Sequence, residues 1–502
     1  MSLLIKNTTI VTMNKDRQVL HGDILIENDR ILAIGNSVDT ADIVIDGSGK
    51  AAIPGLIQSH VHLCQTLFRR QCDDLELLEW LKQYIWPLEG SHDTESIYYS
   101  VLLSCGELFK SGTTAIIDME TVRHTDAALE GIAQAGIRAI SGKCMMDYGD
   151  GVHPGLMDDT EQSIRESVDL LEKWHGKCNG LIQYAFNPRF VVSCSEQLLK
   201  EVGKLAQKYG VKVHTHASEN QGEIEVVENE RGMRNVVYLH SLGLTGSNLI
   251  LAHCIWLNEE EVSLLGETGT RVVHCPSSNL KLASGIAKIP DLIERGVHVS
   301  LAADSAACNN NLDQFLEMRL AALIHKPFYG PTAMPAEKVF ELATIGGAMA
   351  MGMQDQIGSL EIGKKADLVL VDLNGLHAQP VLSDQSIYSQ IVYQLKSSDV
   401  LYTIIDGRIV MENRQLTTID EEEVKRGCNN AIVRVAREQV LWVNRMPSAV
   451  RFAVNPCLTR FCLEFLSEYF SFQEHLYFSI WRIVRITVSD HLYLICWRLR
   501  YR

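Results

Sequence analysis

Pro54-Gly-Leu-Ile-Gln-Ser-His-Val-His62 is an apolar run that ends in two histidines. Its length and composition are those of a buried β-strand, in which residues i and i+2 point to the same side. His60 and His62 therefore project together from the carboxyl end of the predicted strand. A His-x-His pair alone is weak evidence for a metal site, so its meaning depends on what the rest of the chain brings beside it.

Seven more buried-strand candidates follow this run, and amphipathic helical stretches such as 160–174 and 196–206 separate them. Eight β/α units in about 250 residues predict an α/β fold of the (β/α)8 TIM-barrel type. In such barrels the carboxyl ends of the strands form the active-site face. The predicted strands are 55–62, 113–119, 138–146, 180–187, 211–219, 249–257, 271–277 and 297–304.

The two ends of the chain differ from this middle part in their sequence pattern. Short apolar strands separated by turn residues fill 1–55 and return at 357–415, which predicts a small composite β-sandwich beside a barrel at 56–356. A C-terminal helical segment is expected at 416–450. Residues 451–502 contain no glycine and no lysine, and we interpret them as an atypical aromatic-rich tail. A non-native extension is the favoured interpretation of this tail, and an interaction or membrane-surface segment is the alternative.

The composition indicates a protein that buries a sizeable core and acts on a small molecule. Hydrophobic residues make up 46% of the chain and charged residues 22%, as in soluble globular proteins. The formal net charge of −16 argues against a nucleic-acid partner, because binding a phosphate backbone requires a concentrated basic face. The N-terminus lacks the features of a secretion signal, and the thirteen cysteines include no C-x-x-C pair. We therefore expect a cytoplasmic protein with reduced thiols and no membrane partner, and a homo-oligomer is compatible with these features.

Four ligand-type residues fall at the carboxyl ends of predicted barrel strands. His60 and His62 end the first strand, His216 lies in the fifth and Asp304 ends the eighth. Three imidazoles and a carboxylate suit one Zn²⁺, or alternatively Fe²⁺, with a position left open for water. A second metal is disfavoured, because the nearby Lys143 closes strand three and not strand four, where a bridging carboxylated lysine would be expected.

Glu219 and His253 are the candidate proton-transfer residues. Glu219 follows His216 by three residues, and we expect it to take a proton from water and deliver it to the leaving group. His253 ends the sixth predicted strand and is expected, together with Asp304, to steady the tetrahedral intermediate. A solvated rim carboxylate and a structural histidine are the alternatives for Glu219 and His253.

Several stretches resemble the amidohydrolase superfamily, in the branch of aromatic-amine deaminases and s-triazine hydrolases. This resemblance implies a composite β-sandwich beside the barrel, a mononuclear Zn or Fe centre, and hydrolytic release of ammonia, or of chloride in a few members. The matching stretches are 54–62, 216–219, 251–254, 274–285, 303–304 and 357–367.

Different stretches of the chain resemble deaminases that act on different substrates. Residues 73–81, 85–89 and 309–313 are similar to methylthioadenosine/S-adenosylhomocysteine and deoxyadenosine deaminases, which implies that Glu89 binds ribose hydroxyls. Gln65 and residues 187–194 are instead similar to guanine deaminases. That similarity implies that three residues hold a purine base, by hydrogen bonding or stacking. These are Gln65, Arg189 and Phe190.

The leading hypothesis is hydrolytic deamination of an exocyclic amine on a purine-type ring, in an adenosine-type nucleoside. Guanine or 8-oxoguanine deamination is the close alternative. Dechlorination or deamination of an s-triazine is a third possibility, although Glu219 favours a poor leaving group such as ammonia, which must be protonated. A non-catalytic barrel scaffold is the fourth, and the complete ligand set argues against it.

Overall fold

A computed structural model of the chain describes residues 2–35, 40–71, 73–380 and 387–445. Met1–Val435 form one compact unit, and the description below concerns that unit. The tail expected at 451–502 lies outside the described residues. No helix in the described part of the chain is both long enough and apolar enough to cross a membrane.

Eight parallel strands form the barrel, and each overlaps one of the predicted strands. Each pairs in parallel with its neighbour, and the end of the last meets the first where Asp304 N donates to His60 O at 3.2 Å. The fold-class prediction is confirmed. In chain order the strands are β6 (Leu56–Val61), β7 (Thr113–Asp118), β8 (Arg138–Ser141), β10 (Ile182–Pro188), β11 (Lys212–Ala217), β12 (Leu249–His253), β13 (Arg271–His274) and β14 (His298–Leu301), with β9 (Cys144–Met145) paired to β10.

The third predicted strand is divided into two pieces in the structure. The ladder breaks at Gly142, whose carbonyl accepts hydrogen bonds from Asn187 Nδ2 at 2.9 Å and from the Glu120 amide at 3.3 Å. A side chain at Gly142 would collide with the carbonyl oxygen of Ala185, 2.0 Å from the Cβ position. The close approach of β10 thus explains both the glycine and the interruption.

A second sheet of nine strands combines the two ends of the chain. The strands β5 (Lys50–Pro54) and β15 (Leu368–Asp372) join the ends, with Leu368 opposite Pro54 in an antiparallel pair. The Ile31 amide donates to Lys364 O and the Gly363 amide donates to Ile31 O, and these backbone bonds bring the far edge back toward the same core. The other strands are β1 (Ser2–Val11), β2 (Val19–Glu27), β3 (Arg30–Gly35), β4 (Ile43–Asp46), β16 (Val400–Ile405), β17 (Arg408–Glu412) and β18 (Gln415–Leu416).

Helices cover the barrel, and six of the seven that have ten to seventeen residues begin at a side-chain cap, such as Asp159 and Ser195 before the two helices predicted from the sequence. Short π-helical turns occur at Leu81–Ile85, Leu342–Gly346 and Gln390–Gln394. The α-helices are α1 (Leu77–Trp80), α2 (Trp86–Glu89), α3 (Thr94–Lys110), α4 (Thr125–Ala135), α5 (Thr160–Trp174), α6 (Glu196–Tyr209), α7 (Gln221–Arg231), α8 (Asn235–Ser241), α9 (Glu259–Thr268), α10 (Pro276–Lys281), α11 (Ile289–Glu294), α12 (Gln314–Ile324), α13 (Lys326–Tyr329), α14 (Ala336–Glu341), α15 (Gly347–Met351), α16 (Ile387–Ser389) and α17 (Glu421–Arg445).

A buried ion-pair network links the barrel to the second sheet. Arg138, the first residue of β8, lies 2.6 Å from an oxygen of Asp367 and 3.2 Å from an oxygen of Asp406. Lys365 Nζ lies 2.9 Å from the same Asp406 oxygen that Arg138 contacts. All four side chains are buried. Their charges compensate one another at the junction, as buried charges must.

Candidate metal centre and active site

The four predicted metal ligands lie together at the carboxyl ends of the barrel strands. His60 Nε2 is 3.3 Å from Asp304 Oδ1, and His62 Nε2 is 3.7 Å from the same oxygen. His216 Nε2 is 3.2 Å from His62 Nε2. All four side chains are buried. Around His60 the possible ligand atoms form two overlapping clusters, one with His62 and Asp304 and the other with His216 and His253.

The hydrogen bonds of two of these histidines fit a cation between their rings. His62 Nδ1 lies 2.9 Å from Met119 O and His216 Nδ1 lies 2.6 Å from Arg189 O, and a carbonyl can only accept. Both Nδ1 atoms therefore carry the hydrogen, and in the neutral rings both Nε2 atoms present lone pairs to each other. Burial and the nearby His60 lower the pKa of His62 to about 3, so the neutral form prevails. The site thus fits a divalent metal, with the carbonyls in the outer-shell role typical of metal-bound histidines.

His214 orients a third ligand and was not among the predicted site residues. Its Nε2 lies 2.8 Å from His60 Nδ1, and its side chain is fully buried. The sequence contained a signal for it, because His214 precedes His216 by two residues in β11 and so points the same way, one layer deeper. His60 Nε2 has no hydrogen-bond partner among the described residues and faces Asp304.

Four residues at this end of the barrel have left-handed backbone conformations. Their φ angles are 53° at Ser218, 74° at His253, 48° at Cys254 directly after it, and 65° at Asp304. Non-glycine residues in this region carry strain that the surrounding structure must hold in place, and such strain concentrates at functional sites. Asp304 is held by Ser278 Oγ, which donates to its Oδ2 at 2.7 Å, and by the Ser305 amide, which donates to its Oδ1 at 2.7 Å.

Glu219 and His253 face each other beside the metal ligands. Glu219 Oε2 lies 3.4 Å from His253 Nε2, which is also 3.9 Å from Asp304 Oδ2. Glu219 is only 4% exposed, in contrast to the solvated rim carboxylate considered as an alternative. Burial, followed by the negative charge of Asp304, raises the pKa of Glu219 well above its usual range. A carboxyl group in this environment can hold a proton near neutral pH.

The four predicted substrate-binding residues lie beside this centre, and three of them form a buried network. Arg189 Nη1 lies 2.5 Å from Glu89 Oε2, and Gln65 Nε2 donates to Glu89 Oε1 at 2.7 Å. Phe190 packs between Trp86 and the ring of His216, with ring centroids 6.5 and 6.4 Å away. Glu89 and Arg189 are thus buried ionic partners.

The cavity over this centre has a volume of about 30 Å³. Leu77, Trp80 and Leu81 close its top, and they come from the segment that ends at Glu89. Trp80 was not predicted as a site residue, and its buried indole N–H has no hydrogen-bond partner in the part of the chain that the structure describes. That volume is far below the roughly 300–1,000 Å³ of typical small-molecule sites.

The chain is similar to known proteins along most of its length. The sequence profile of the Amidohydrolase family matches residues 51–410. A 5-methylthioadenosine/S-adenosylhomocysteine deaminase of Syntrophobacter fumaroxidans is 42% identical over 429 residues, covering 84% of this chain and 95% of that protein. A 5′-deoxyadenosine deaminase of Methanobrevibacter smithii is 39% identical over 434 residues, covering 86% and 97%. An adenosine deaminase from Xanthomonas campestris, crystallised with bound zinc, superposes with a TM-score of 0.80 at 31% identity, covering 86% of this chain and 98% of that one.

Proposed function

The chain belongs to the amidohydrolase family, and from that premise we propose that it is a metal-dependent hydrolytic deaminase of adenosine-type nucleosides. The observation that carries the proposal is the buried Glu219 carboxyl, which lies 3.4 Å from His253 beside the metal ligands. Deamination requires protonation of a poor leaving group, and a carboxyl with a raised pKa beside the site can deliver that proton. The deaminase names of relatives about 40% identical support the same reaction.

We propose one divalent ion, held by His60, His62, His216 and Asp304. When bound, such an ion supplies Lewis-acid chemistry that lowers the pKa of water to about 7. The nitrogen-rich ligand set favours Zn²⁺, with Fe²⁺ as the alternative. The zinc in the Xanthomonas campestris deaminase supports Zn²⁺ here.

The chain's own groups then move protons and stabilise charge. Glu219 takes a proton from the attacking water and transfers it to the departing amine nitrogen. His253 Nε2 faces both Glu219 and Asp304, and in this proposal it hydrogen-bonds the tetrahedral centre as charge develops there. The residues from Leu77 to Leu81 exclude water from above, which strengthens these electrostatic interactions.

The substrate is assigned from the pocket and from the relatives. Phe190 offers an aromatic face for stacking on a purine ring. Glu89 is an acceptor for ribose hydroxyls, and the nucleoside named for each of the two similar deaminases supports an adenosine-type substrate. Among the described cysteines no disulfide forms, and nearly all are buried, so we assign the protein to the reducing cytoplasm.

One observation favours guanine-type bases as a second candidate. Arg189 and Gln65 already occupy both carboxylate oxygens of Glu89, which leaves Glu89 less free to accept from a ribose. The remaining N–H groups of Arg189 suit a ring carbonyl. Replacing Arg189 with alanine should then reduce guanine turnover far more than nucleoside turnover.

Ammonia release by metal-loaded protein tests the proposal directly. The substrates to compare are methylthioadenosine, S-adenosylhomocysteine, 5′-deoxyadenosine, guanine, 8-oxoguanine and cytosine. The proposal expects kcat/KM to be highest for one of the first three. Turnover of guanine or 8-oxoguanine alone would establish the second candidate, and no turnover of any purine would overturn both.

A further inference from the structure

A second buried glutamate lies directly behind Glu219. Glu223 is fully buried in the first turn of α7, and its Oε2 accepts the backbone N–H of Glu219 at 2.8 Å. Its other oxygen accepts from Asn235 Nδ2 at the start of α8. We propose that Glu223 is a positioning residue that holds the Glu219 turn in its productive geometry, an inference that rests on the proposed role of Glu219.

The turn that carries Glu219 needs such an anchor. Ser218, the preceding residue, has a φ of 53°, a strained conformation for a residue with a side chain. On one side the turn is held from the end of β12, because Ser218 O accepts the amides of Ile255 and Trp256 at 2.9 and 3.0 Å. On the other side the Glu219 amide is bound by Glu223. Without that acceptor the strained turn can relax and carry the Glu219 side chain with it.

Glu223 acts through Glu219 and not on the substrate. It does not line the pocket, whereas Glu219 does. A displacement of about 1 Å in a catalytic group can reduce turnover about 100-fold. The loss of Glu223 should therefore reduce kcat while KM, which reflects the pocket, stays near its original value.

The alternative is that Glu223 only ties α7 to α8 through Asn235. Three variants separate the two roles. Glu223→Ala removes both contacts, and Asn235→Ala removes only the contact between the helices. Glu223→Gln can keep both, because its amide oxygen can accept the Glu219 N–H while its NH2 donates to Asn235 Oδ1, which has no partner among the described residues.

Steady-state kinetics of the metal-loaded variants test the proposal, with Glu225→Ala on the exposed face of the same helix as the control. We expect a decrease in kcat of at least about tenfold for Glu223→Ala at little-changed KM. Glu223→Gln, Asn235→Ala and Glu225→Ala should each stay within about threefold of the original kcat. Equal losses in Glu223→Ala and Asn235→Ala, or unchanged kcat in Glu223→Ala, would overturn the proposal. Circular dichroism and bound metal must match the original protein for each comparison.

Amide hydrogen exchange separates this proposal from the proposed function. In Glu223→Ala the peptide spanning 217–222 should exchange faster, while in Asn235→Ala its exchange should stay unchanged. That result is independent of any substrate. If the original protein deaminates no purine but the exchange pattern holds, the proposed function fails and the anchoring role stands. If the original protein is active and the peptide exchanges identically in both variants, the anchoring role fails.

Discussion

At the scale of single residues, two backbone carbonyls determine which nitrogen atoms the metal centre can use. The carbonyls of Met119 and Arg189 hold the Nδ1 hydrogens of His62 and His216, so that both Nε2 atoms are free to bind a cation. Glu219 belongs to the same cluster but lies against His253 and not against these nitrogens. Metal binding and proton transfer are therefore assigned to different side chains that can be changed separately.

Changing His216 and changing Glu219 should have different consequences. His216→Ala removes a ligand, so we expect bound zinc, measured by elemental analysis, to fall well below one ion per chain, together with activity. Glu219→Gln should keep its metal and lose about 10²- to 10⁴-fold in kcat, because only proton transfer is removed. Glu225→Gln on the exposed face of α7 serves as the control and should change neither quantity. Loss of metal in Glu219→Gln would instead make Glu219 a ligand.

The buried side chain of Glu317 should make the stability of the fold depend on pH. Burial raises the pKa of this side chain from 4.5 to about 7. The folded state therefore binds the proton more tightly than the unfolded state, and this contribution is complete below about pH 4.5 and lost as pH rises through about 7. Between about pH 5.5 and 8 the loss is about 2 kcal/mol.

Urea unfolding of the original protein and of Glu317→Gln measures this contribution. Glu317→Gln removes the titrating group. It also changes the free energy of unfolding by an amount that does not depend on pH, because an amide cannot accept the hydrogen bonds of both Asn309 and Ser277 as the carboxyl group does. The free energy of unfolding of Glu317→Gln should therefore increase relative to that of the original protein as pH rises. Parallel pH profiles would show that Glu317 does not titrate in this range.

At the scale of elements, the segment from α1 to α2 forms the roof of the pocket. Its end is fixed by the ion pair between Glu89 and Arg189, whose side chains are 1% and 6% exposed. A buried pair contributes little net stability when both partners are present, but the loss of one leaves an uncompensated charge. The stability of this roof segment should therefore fall more when one of the two residues is replaced than when both are.

Arg189→Met should destabilise the protein by about 3–5 kcal/mol, because Glu89 is then buried without its cation. The double variant Glu89→Gln/Arg189→Met should recover much of that loss, because no charge remains. Thermal or urea unfolding of the single and double variants gives the comparison. If the double variant is as unstable as Arg189→Met, the loss comes from packing and not from charge.

The sequence predicts the strands and their ends better than it predicts contacts between them. The barrel strands are largely apolar, and the ligand residues lie at or near their carboxyl ends, so the alternation and the shared face of His60, His216 and Asp304 could be inferred from local pattern and barrel geometry. The contact between Glu89 and Arg189 could not, because it joins residues 100 positions apart and depends on how the roof segment packs. The role of His214 was accessible in principle but required knowing which way strand β11 faces.

At the scale of the whole molecule, the barrel and the second sheet share a buried ionic junction. Asp367 lies in a stretch that resembles the family, but its partner Arg138 lies 229 positions away at the start of a barrel strand. No local pattern in the sequence joins the two. Coulombic attraction to Asp367 and Asp406 outweighs the cost of burial and raises the pKa of Arg138, so this guanidinium stays charged.

Arg138→Met should therefore destabilise the whole compact unit. The substitution leaves Asp406 with Lys365 and leaves Asp367 without an ion-pair partner among the described residues, and the loss of one partner from a buried pair costs about 3–5 kcal/mol. Lys173→Met is the matched control, because its ion pair with Asp126 is about half exposed on both sides and contributes little. Urea unfolding followed by circular dichroism should show a lower midpoint for Arg138→Met and an unchanged one for Lys173→Met. Arg138 begins its strand, whereas the metal ligands lie at the opposite, carboxyl ends of the strands. The folded fraction of Arg138→Met should therefore retain its metal and its kcat. A loss of either in folded protein would contradict a purely structural role.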